Sequence, residues 1–474
     1  MNTAPMLKRL TLKYLPFADA GSEGFPLSQI LRLSLFQVSV GMATVMLLGT
    51  LNRVMIVELY VPAMIVAAMI ALPVLIAPFR ALLGFRSDTH KSAIGWRRVP
   101  YMWFGTLWQF GGLAIMPFAL LVLGGDTLYD FPYDGEILAA LAFLMTGLGI
   151  SMTQTAGLAL ASDRATEETR PRVVALLYVM FLVGMGLSAL VIGWLLRDFT
   201  PLKLIQVVQG AAVVTVLLNL VALWKQERVR PMSREERAEP RPAFRDAWAD
   251  FASGGQAGRL IMVVALGTLA FNMQDVLLEP YGGEILGLSV SATTLLTAAW
   301  AAGALVAFAL SAKWLAQGRD PYRVAAIGIL SGIVAFSAVI FAAPLGSAPL
   351  FFAGAACIGF GGGLFAVSTL TAAMTMPATG TAGRGLALGA WGAAQATAAG
   401  VAIFAGGTIR DAVAATSLPD TLGPATGYSM VYHIEIALLF ATLAVLGPLV
   451  KLGTYRKPET ETTKPGIGLA DLPT

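Results

Sequence analysis

Apolar runs of about 20 residues, the length at which a helix crosses the hydrocarbon core of a bilayer, recur from end to end of this chain and leave few folds open. Twelve can be counted, near 32–57, 61–83, 99–124, 136–160, 173–196, 202–224, 260–284, 291–315, 323–344, 348–374, 385–409 and 428–451. A transmembrane barrel would show alternating segments of about 10 residues instead. Composition agrees: 57% of the 474 residues are hydrophobic and 13% charged, with a mean hydropathy of +0.73, far from soluble usage. The expected fold is an all-α membrane protein of twelve transmembrane helices.

An even number of spans puts both termini on one side. All 32 lysines and arginines fall on that side except Arg53, inside a span, and Arg197, Lys203 and Arg410. Basic loops stay cytoplasmic, so both termini are expected there. Asp126, Asp130, Asp134 and Glu136 on the opposite loop agree. The polar stretch 225–259, with Arg228, Arg230, Arg234 and Arg237 and three prolines, reads as a cytoplasmic linker between an N-terminal six-helix bundle (32–224) and a C-terminal one (260–451). Within it Phe244, Trp248 and Phe251 have helical spacing, which predicts a helix resting on the inner membrane face. Residues 1–31 form a cytoplasmic segment in which Met6, Leu7, Leu10 and Tyr14 predict an interfacial helix. No apolar stretch of signal-peptide type precedes Leu31. The Thr- and Pro-rich tail, 452–474, is expected to be disordered.

The two halves share landmarks. LGTLNRVMIVELY (48–60) and LGTLAFNMQDVLLEPY (266–281) both end an apolar span with polar groups. Arg172 and the pair Arg197-Asp198 have counterparts in Arg384 and Arg410-Asp411. Their common order predicts a parallel repeat, in which the first spans of the two halves face one another across a central cavity.

Charges inside spans need partners, because a lone one at the bilayer centre costs about 2.5–3.5 kcal/mol. Asn52, Arg53 and Glu58 of the first span, and Asn272, Gln274, Asp275 and Glu279 of the seventh, are therefore the candidates for a cavity or a coupling site. At about 1.5 Å per residue, Arg53 stands roughly 30 Å and Asp275 roughly 22 Å above the span entrances. That similar height allows Arg53 to pair with Asp275 or Glu279; a local Arg53–Glu58 pair near the surface is the other reading. Gln395 lies deeper in its span and could line the cavity or bond to a neighbouring helix. His433 sits where a neutral imidazole could ligate a metal such as a tetrapyrrole magnesium, against the plainer reading of an interfacial hydrogen-bonding residue. His90 is expected to be solvated. Gly359 to Gly363 read as helix-packing glycines, and the one cysteine, Cys357, rules out a disulfide framework.

Gly84, Arg86, Asp88, Gly95, Arg97 and Arg98, between the second and third spans, resemble a stretched form of the loop motif of the major facilitator superfamily. Charge-assisted hydrogen bonds at a helix N-terminus could make that loop a latch between the bundles. Enzyme signatures such as HExxH or GxxxxGK[ST] are missing and no Cys/His cluster exists, so neither catalysis nor an enzymatic cofactor is expected. The net charge of +4 fits basic loops rather than nucleic-acid binding.

LPFADA (15–20), ILRLSLFQVSVGM (30–42), GTLNRVMIVEL (49–59), PFRALLGFRSDTHKSAIGWRRVPYMWFGT (78–106) and NMQDVLLEPYGGEILGLSV (272–290) resemble the PucC/LhaA family of purple phototrophic bacteria. This is the bacteriochlorophyll-delivery branch of the major facilitator superfamily. The resemblance implies that superfamily's fold and a location in the bacterial inner, intracytoplasmic photosynthetic membrane. It implies a factor for assembling light-harvesting antenna complexes, with a lean to the core antenna. Such a factor would hand bacteriochlorophyll, as bound cargo, to antenna polypeptides or hold them as they oligomerise. Implied partners are the antenna polypeptides, the reaction-centre core complex and bacteriochlorophyll-synthesis enzymes. The alternative is a proton-coupled secondary transporter of a small solute, with Asp275 or Glu279 as the coupling carboxylate; sparse midplane charge favours the assembly factor.

Overall fold

The computed structural model describes residues 20–22, 24–76, 96, 98–125, 133–166, 169–227, 255–374 and 384–450. The expected helices at 6–14 and 244–251, the tail, His90 and every loop-motif residue except Arg98 lie outside them. Eleven described helices are long and apolar enough to cross a membrane: α1 (Leu27–Glu58), α3 (Val99–Leu123), α4 (Asp134–Arg164), α5 (Arg170–Leu195), α6 (Pro201–Leu223), α7 (Gly258–Glu284), α8 (Val290–Ala316), α9 (Pro321–Ala342), α10 (Ala348–Met374), α11 (Arg384–Ala414) and α12 (Thr426–Leu446). At the place of the second expected span, α2 (Ala63–Leu75) is apolar but shorter. The protein is a multi-pass membrane protein.

The helix pairings show the repeat directly. In the first half α3 packs on α4, α1 on α5 and α6, α6 on α3, and α2 on α4. Adding six to each number gives pairings present in the second half: α9 on α10, α7 on α11 and α12, α12 on α9, and α8 on α10. The halves meet through α2 against α11 and α5 against α8, which exchange under the same operation, and through α1 against α7 and α8. Two six-helix bundles related in this way are the architecture of the major facilitator superfamily.

Close packing without a hydrophobic drive between helices relies on small residues. Gly328 of α9 and Gly361 of α10 show it reciprocally, since a Cβ on either would stand 2.7 Å from the carbonyl oxygen of the other. Outward faces carry exposed apolar side chains such as Leu187, Leu190 and Leu217, as lipid contact requires. Between α7, α9 and α12 the interior is aromatic. Tyr281 lies 5.2 Å from Tyr428 and 5.8 Å from Tyr432, ring centre to ring centre, within the range of favourable ring contacts.

The leading helix of each half is irregular. α1 widens into π-helical turns at Val45–Leu51 and Val54–Glu58. α7 tightens into a 3₁₀ turn at Met273–Val276 before resuming at Leu278–Glu284. Both interruptions fall on the polar stretches that the sequence singles out. Backbone groups freed inside a membrane helix must find partners within the protein, and those partners form the candidate site.

Candidate functional site at the break in the seventh helix

The break in α7 is capped from two sides. Gln274 N–H donates to Glu435 Oε1 of α12 at 2.7 Å, and the Val276 carbonyl accepts from Asn52 Nδ2 of α1 at 3.0 Å. The same Asn52 amide donates to Leu48 O at 3.0 Å, within the π-widened turns. One amide thus links the irregularity of α1 to that of α7.

Asp275 projects from the break. Its carboxylate accepts from Asn272 Nδ2 at 2.8 Å and from Gln274 Nε2, and it lines two cavities. The larger, about 290 Å³, lies between α5, α7, α8, α10 and α11 and is walled by Tyr178, Phe181, Phe271, Trp300, Phe365, Trp391 and Gln395. The smaller, about 230 Å³, reaches Thr44, Met185, Gln274, Glu279 and Thr297. Asn272, Asp275, Phe181 and Trp300 belong to both. The two cavities form an aromatic-walled space between the halves, with its polar groups gathered on α7.

Glu279 is buried one turn beyond Asp275 and accepts from Thr297 of α8. Its side chain lies against Gly49 of α1. The expected pairing of Arg53 with Asp275 or Glu279 is not formed. Arg53 makes its ion pair with Glu58, donates to Leu288 O at 3.3 Å, and packs on Gly283. The local Arg53–Glu58 pair is the one formed, although Arg53 itself is 4% exposed and does not snorkel to a surface. The cause is the second π turn, which lengthens the helical repeat after Arg53 and brings Glu58, five residues on, over the guanidinium.

Around Arg53 the halves are sealed at the α1–α2 end. Besides the Asn52 and Arg53 bonds, Thr50 meets Thr294 at 3.2 Å and Ser291 donates to Gly193 O at 2.5 Å. Met64 N–H donates to Asp411 Oδ2 at 2.6 Å. Asp411 is held by Arg410, which also binds Glu284 and Tyr428.

Arg98, the described member of the loop motif, donates from Nε to Asp163 Oδ2 of α4 at 3.0 Å. The Glu227 carboxylate caps the start of α3, accepting from Arg98 N and Val99 N at 3.2 and 3.1 Å. These contacts lie within the first half and brace one bundle; the other residues of the expected latch lie outside the described ones. His433 stands exposed on α12, with Nδ1 2.7 Å from Ser429 O.

Of the sequence-derived candidates, Asn272, Gln274, Asp275, Glu279 and Gln395 border the two cavities, Asn52 braces their edge, and Arg53 with Glu58 closes the end beyond them. Glu435, 0% exposed, is a site residue that sequence reasoning passed over. The available signal is a lone carboxylate nine residues into the last helix, as costly there as the charges of the first and seventh spans.

A protein-family model described as "PUCC protein" matches residues 50–454. A Rhodobacter capsulatus protein named for its position in the puhA-bchM intergenic region is 61% identical over 473 residues, 99% of each chain. Protein PucC of Rhodovulum sulfidophilum is 57% identical over 406 residues, 85% of this chain and 89% of its own. Among solved structures, an inward-facing bacterial homologue of the lysosomal transporter Spinster superposes with a TM-score of 0.63 at 14% identity, covering 90% of this chain and 97% of that one. At that identity the likeness is one of fold.

Proposed function

The chain belongs to the PUCC protein family, and from that premise we propose that it is a non-enzymatic assembly factor for light-harvesting antenna complexes, handling bacteriochlorophyll and antenna polypeptides at its lipid-facing surface. Family membership over most of the chain carries the assembly role. The size of the interior supports the lateral route. Sites that enclose a drug-sized ligand run to about 300–1,000 Å³, and the inner cavities, at about 290 and 230 Å³, fall at or below that range. Taken singly, neither cavity reaches the size that encloses a macrocycle with a long tail.

Larger recesses of about 480 Å³ face outward. One lies between α5 and α6 along Leu187, Val191 and Val214, the other beside Trp103, Phe104 and Trp224. His433 fits the part of an axial ligand to the pigment magnesium. Its Nδ1 is engaged by Ser429 O, which turns Nε2 away from its own helix, the arrangement that orients metal-binding imidazoles. The partners in this reading are antenna polypeptides, with the core antenna favoured, and next to them the reaction-centre core and pigment-synthesis enzymes. The setting is the intracytoplasmic photosynthetic membrane with both termini cytoplasmic, as the distribution of basic residues supports.

The absorption spectrum of detergent-purified protein tests this. A bacteriochlorophyll band together with co-purifying antenna polypeptides is expected. A colourless protein without antenna subunits that drives solute uptake in proteoliposomes would replace assembly by transport.

A further inference from the structure

Where α7 breaks, oxygen atoms are gathered out of water with no basic group among them. Glu435 is 0% and Gln274 2% exposed. Glu435 Oε1 caps Gln274 N, but Glu435 Oε2 has no partner, nor does Gln274 Oε1 or the Tyr432 hydroxyl one turn before Glu435. Gln274 Nε2 is already committed to Asp275 Oδ1 and Phe271 O, so the amide cannot turn to serve Glu435 without abandoning Asp275.

The surrounding charges give no relief. On α1, Arg53 pairs with Glu58 through Nη1, and its Nε packs on Gly283 without a hydrogen-bond partner; on α11, Arg410 is taken by Glu284 and Asp411. On α12, His433 faces outward with its Nδ1 on Ser429 O. Glu279 of α7 is a third acid, turned to Thr297. Arg259 and Arg323 stand at the far ends of α7 and α9, and Lys313 at the far end of α8. Buried carboxylates are retained where a counter-charge compensates them, and orphaned buried oxygens mark a missing donor or ion.

We propose that Gln274, Asp275 and Glu435 form a binding site for a monovalent cation, Na+ or a proton, that bridges the broken seventh helix to the last. The donors are all oxygen, the set that suits a hard cation. Among the described residues no three His, Cys, Asp or Glu side chains converge as metal ligands, which disfavours a divalent ion. Interrupted membrane helices are where other proteins place Na+ and protons. The site also has a reader, because Asp275 belongs both to it and to the walls of the two cavities. Occupancy of the cation site and of the cavity therefore act on one side chain. This inference goes beyond antenna assembly and stands or falls separately from it.

The test is the thermal unfolding midpoint of the purified full chain in detergent, in NaCl against choline chloride at equal ionic strength, at pH 6 and pH 8. A saturable rise of about 3 °C with Na+, lost in Glu435→Gln, identifies Na+. A rise of similar size on acidification, indifferent to Na+ and flattened in Glu435→Gln, identifies the proton. Asp275→Asn serves as the second variant should Glu435→Gln fail to fold. A wild-type midpoint that responds to neither ion, or a response that survives in the variant that folds, overturns the site.

Discussion

Gly49 of α1 and Glu279 of α7 meet so closely that a Cβ on the glycine would stand 2.6 Å from Glu279 Oε1. The two residues belong to the leading helices of different halves, and the carboxylate is pinned on its other side by Thr297. Gly49→Ala should therefore lower the unfolding midpoint. Overpacking of this kind costs about 1–3 kcal/mol, more than the roughly 1 kcal/mol that alanine regains in a helix. Gly210→Ala, where a Cβ meets nothing within 4 Å, is the control that should not fall. Equal midpoints for the two variants would contradict the close approach.

The Arg53–Glu58 pair is lopsided, with side chains 5% and 40% exposed. Removing Glu58 strands a buried guanidinium, whereas removing Arg53 leaves a carboxylate that water can reach. Glu58→Gln should thus destabilise more than Arg53→Gln, whereas a surface pair with equal partners would lose little and equally from either change. Arg53→Ala should keep the protein in the membrane while lowering antenna assembly. Thermal midpoints and quantitation of antenna complexes in membranes decide both points.

Two neighbouring glycines of α10 should behave differently. A Cβ on Gly359 runs into the Trp300 carbonyl, while one on Gly362 reaches only Phe271 at 3.7 Å, an ordinary contact, and projects into the larger cavity. Gly359→Ala should reduce folded yield severely, and Gly362→Ala should leave it unchanged while shrinking the cavity. Pigment binding that is unaffected in Gly362→Ala would agree with a lateral route, and its loss would place the pigment inside.

His433→Leu should abolish most of the bacteriochlorophyll band of the purified protein without moving its thermal midpoint, since the side chain is exposed and its hydrogen bonds among the described residues are to Ser429. An undiminished band would assign the pigment to another part of the surface.

The repeat-related pairs Arg197-Asp198 and Arg410-Asp411 offer an internal comparison. The first is exposed, at 63% and 78%. The second is enclosed, at 18% and 20%, and joins Glu284, Tyr428 and the start of α2. Arg410→Gln should destabilise by about 3 kcal/mol; Arg197→Gln should change little. Similar losses for both would mean that the enclosed network contributes nothing beyond the local pair.

Much of this protein is legible in its sequence. The positions of the spans, the division into halves, and the polar stretches on the first and seventh helices follow from hydropathy and spacing along the chain. Gln395 could be placed in its span as a cavity-lining candidate, and it borders the cavity that Asp275 also lines. Arg53 shows where such reasoning stops. A regular helical rise gives its height, but partner choice depends on rotation about the helix axis, and the π turns of α1 alter that rotation locally. Glu435 is not legible as a site residue in the sequence, because a single carboxylate in an apolar run does not reveal which neighbour it faces.

By itself the sequence determined that the chain crosses a membrane many times as helices and that its halves repeat, because burial in lipid selects on residue type and run length, which are properties of one dimension. Only the tertiary structure decided that Asn52 and Glu435 cap the two sides of one break and that Arg53 turns to Glu58. Those outcomes depend on helix rotation, widened turns and the closeness of glycine-lined contacts, which arise when helices far apart in the chain come to share a wall.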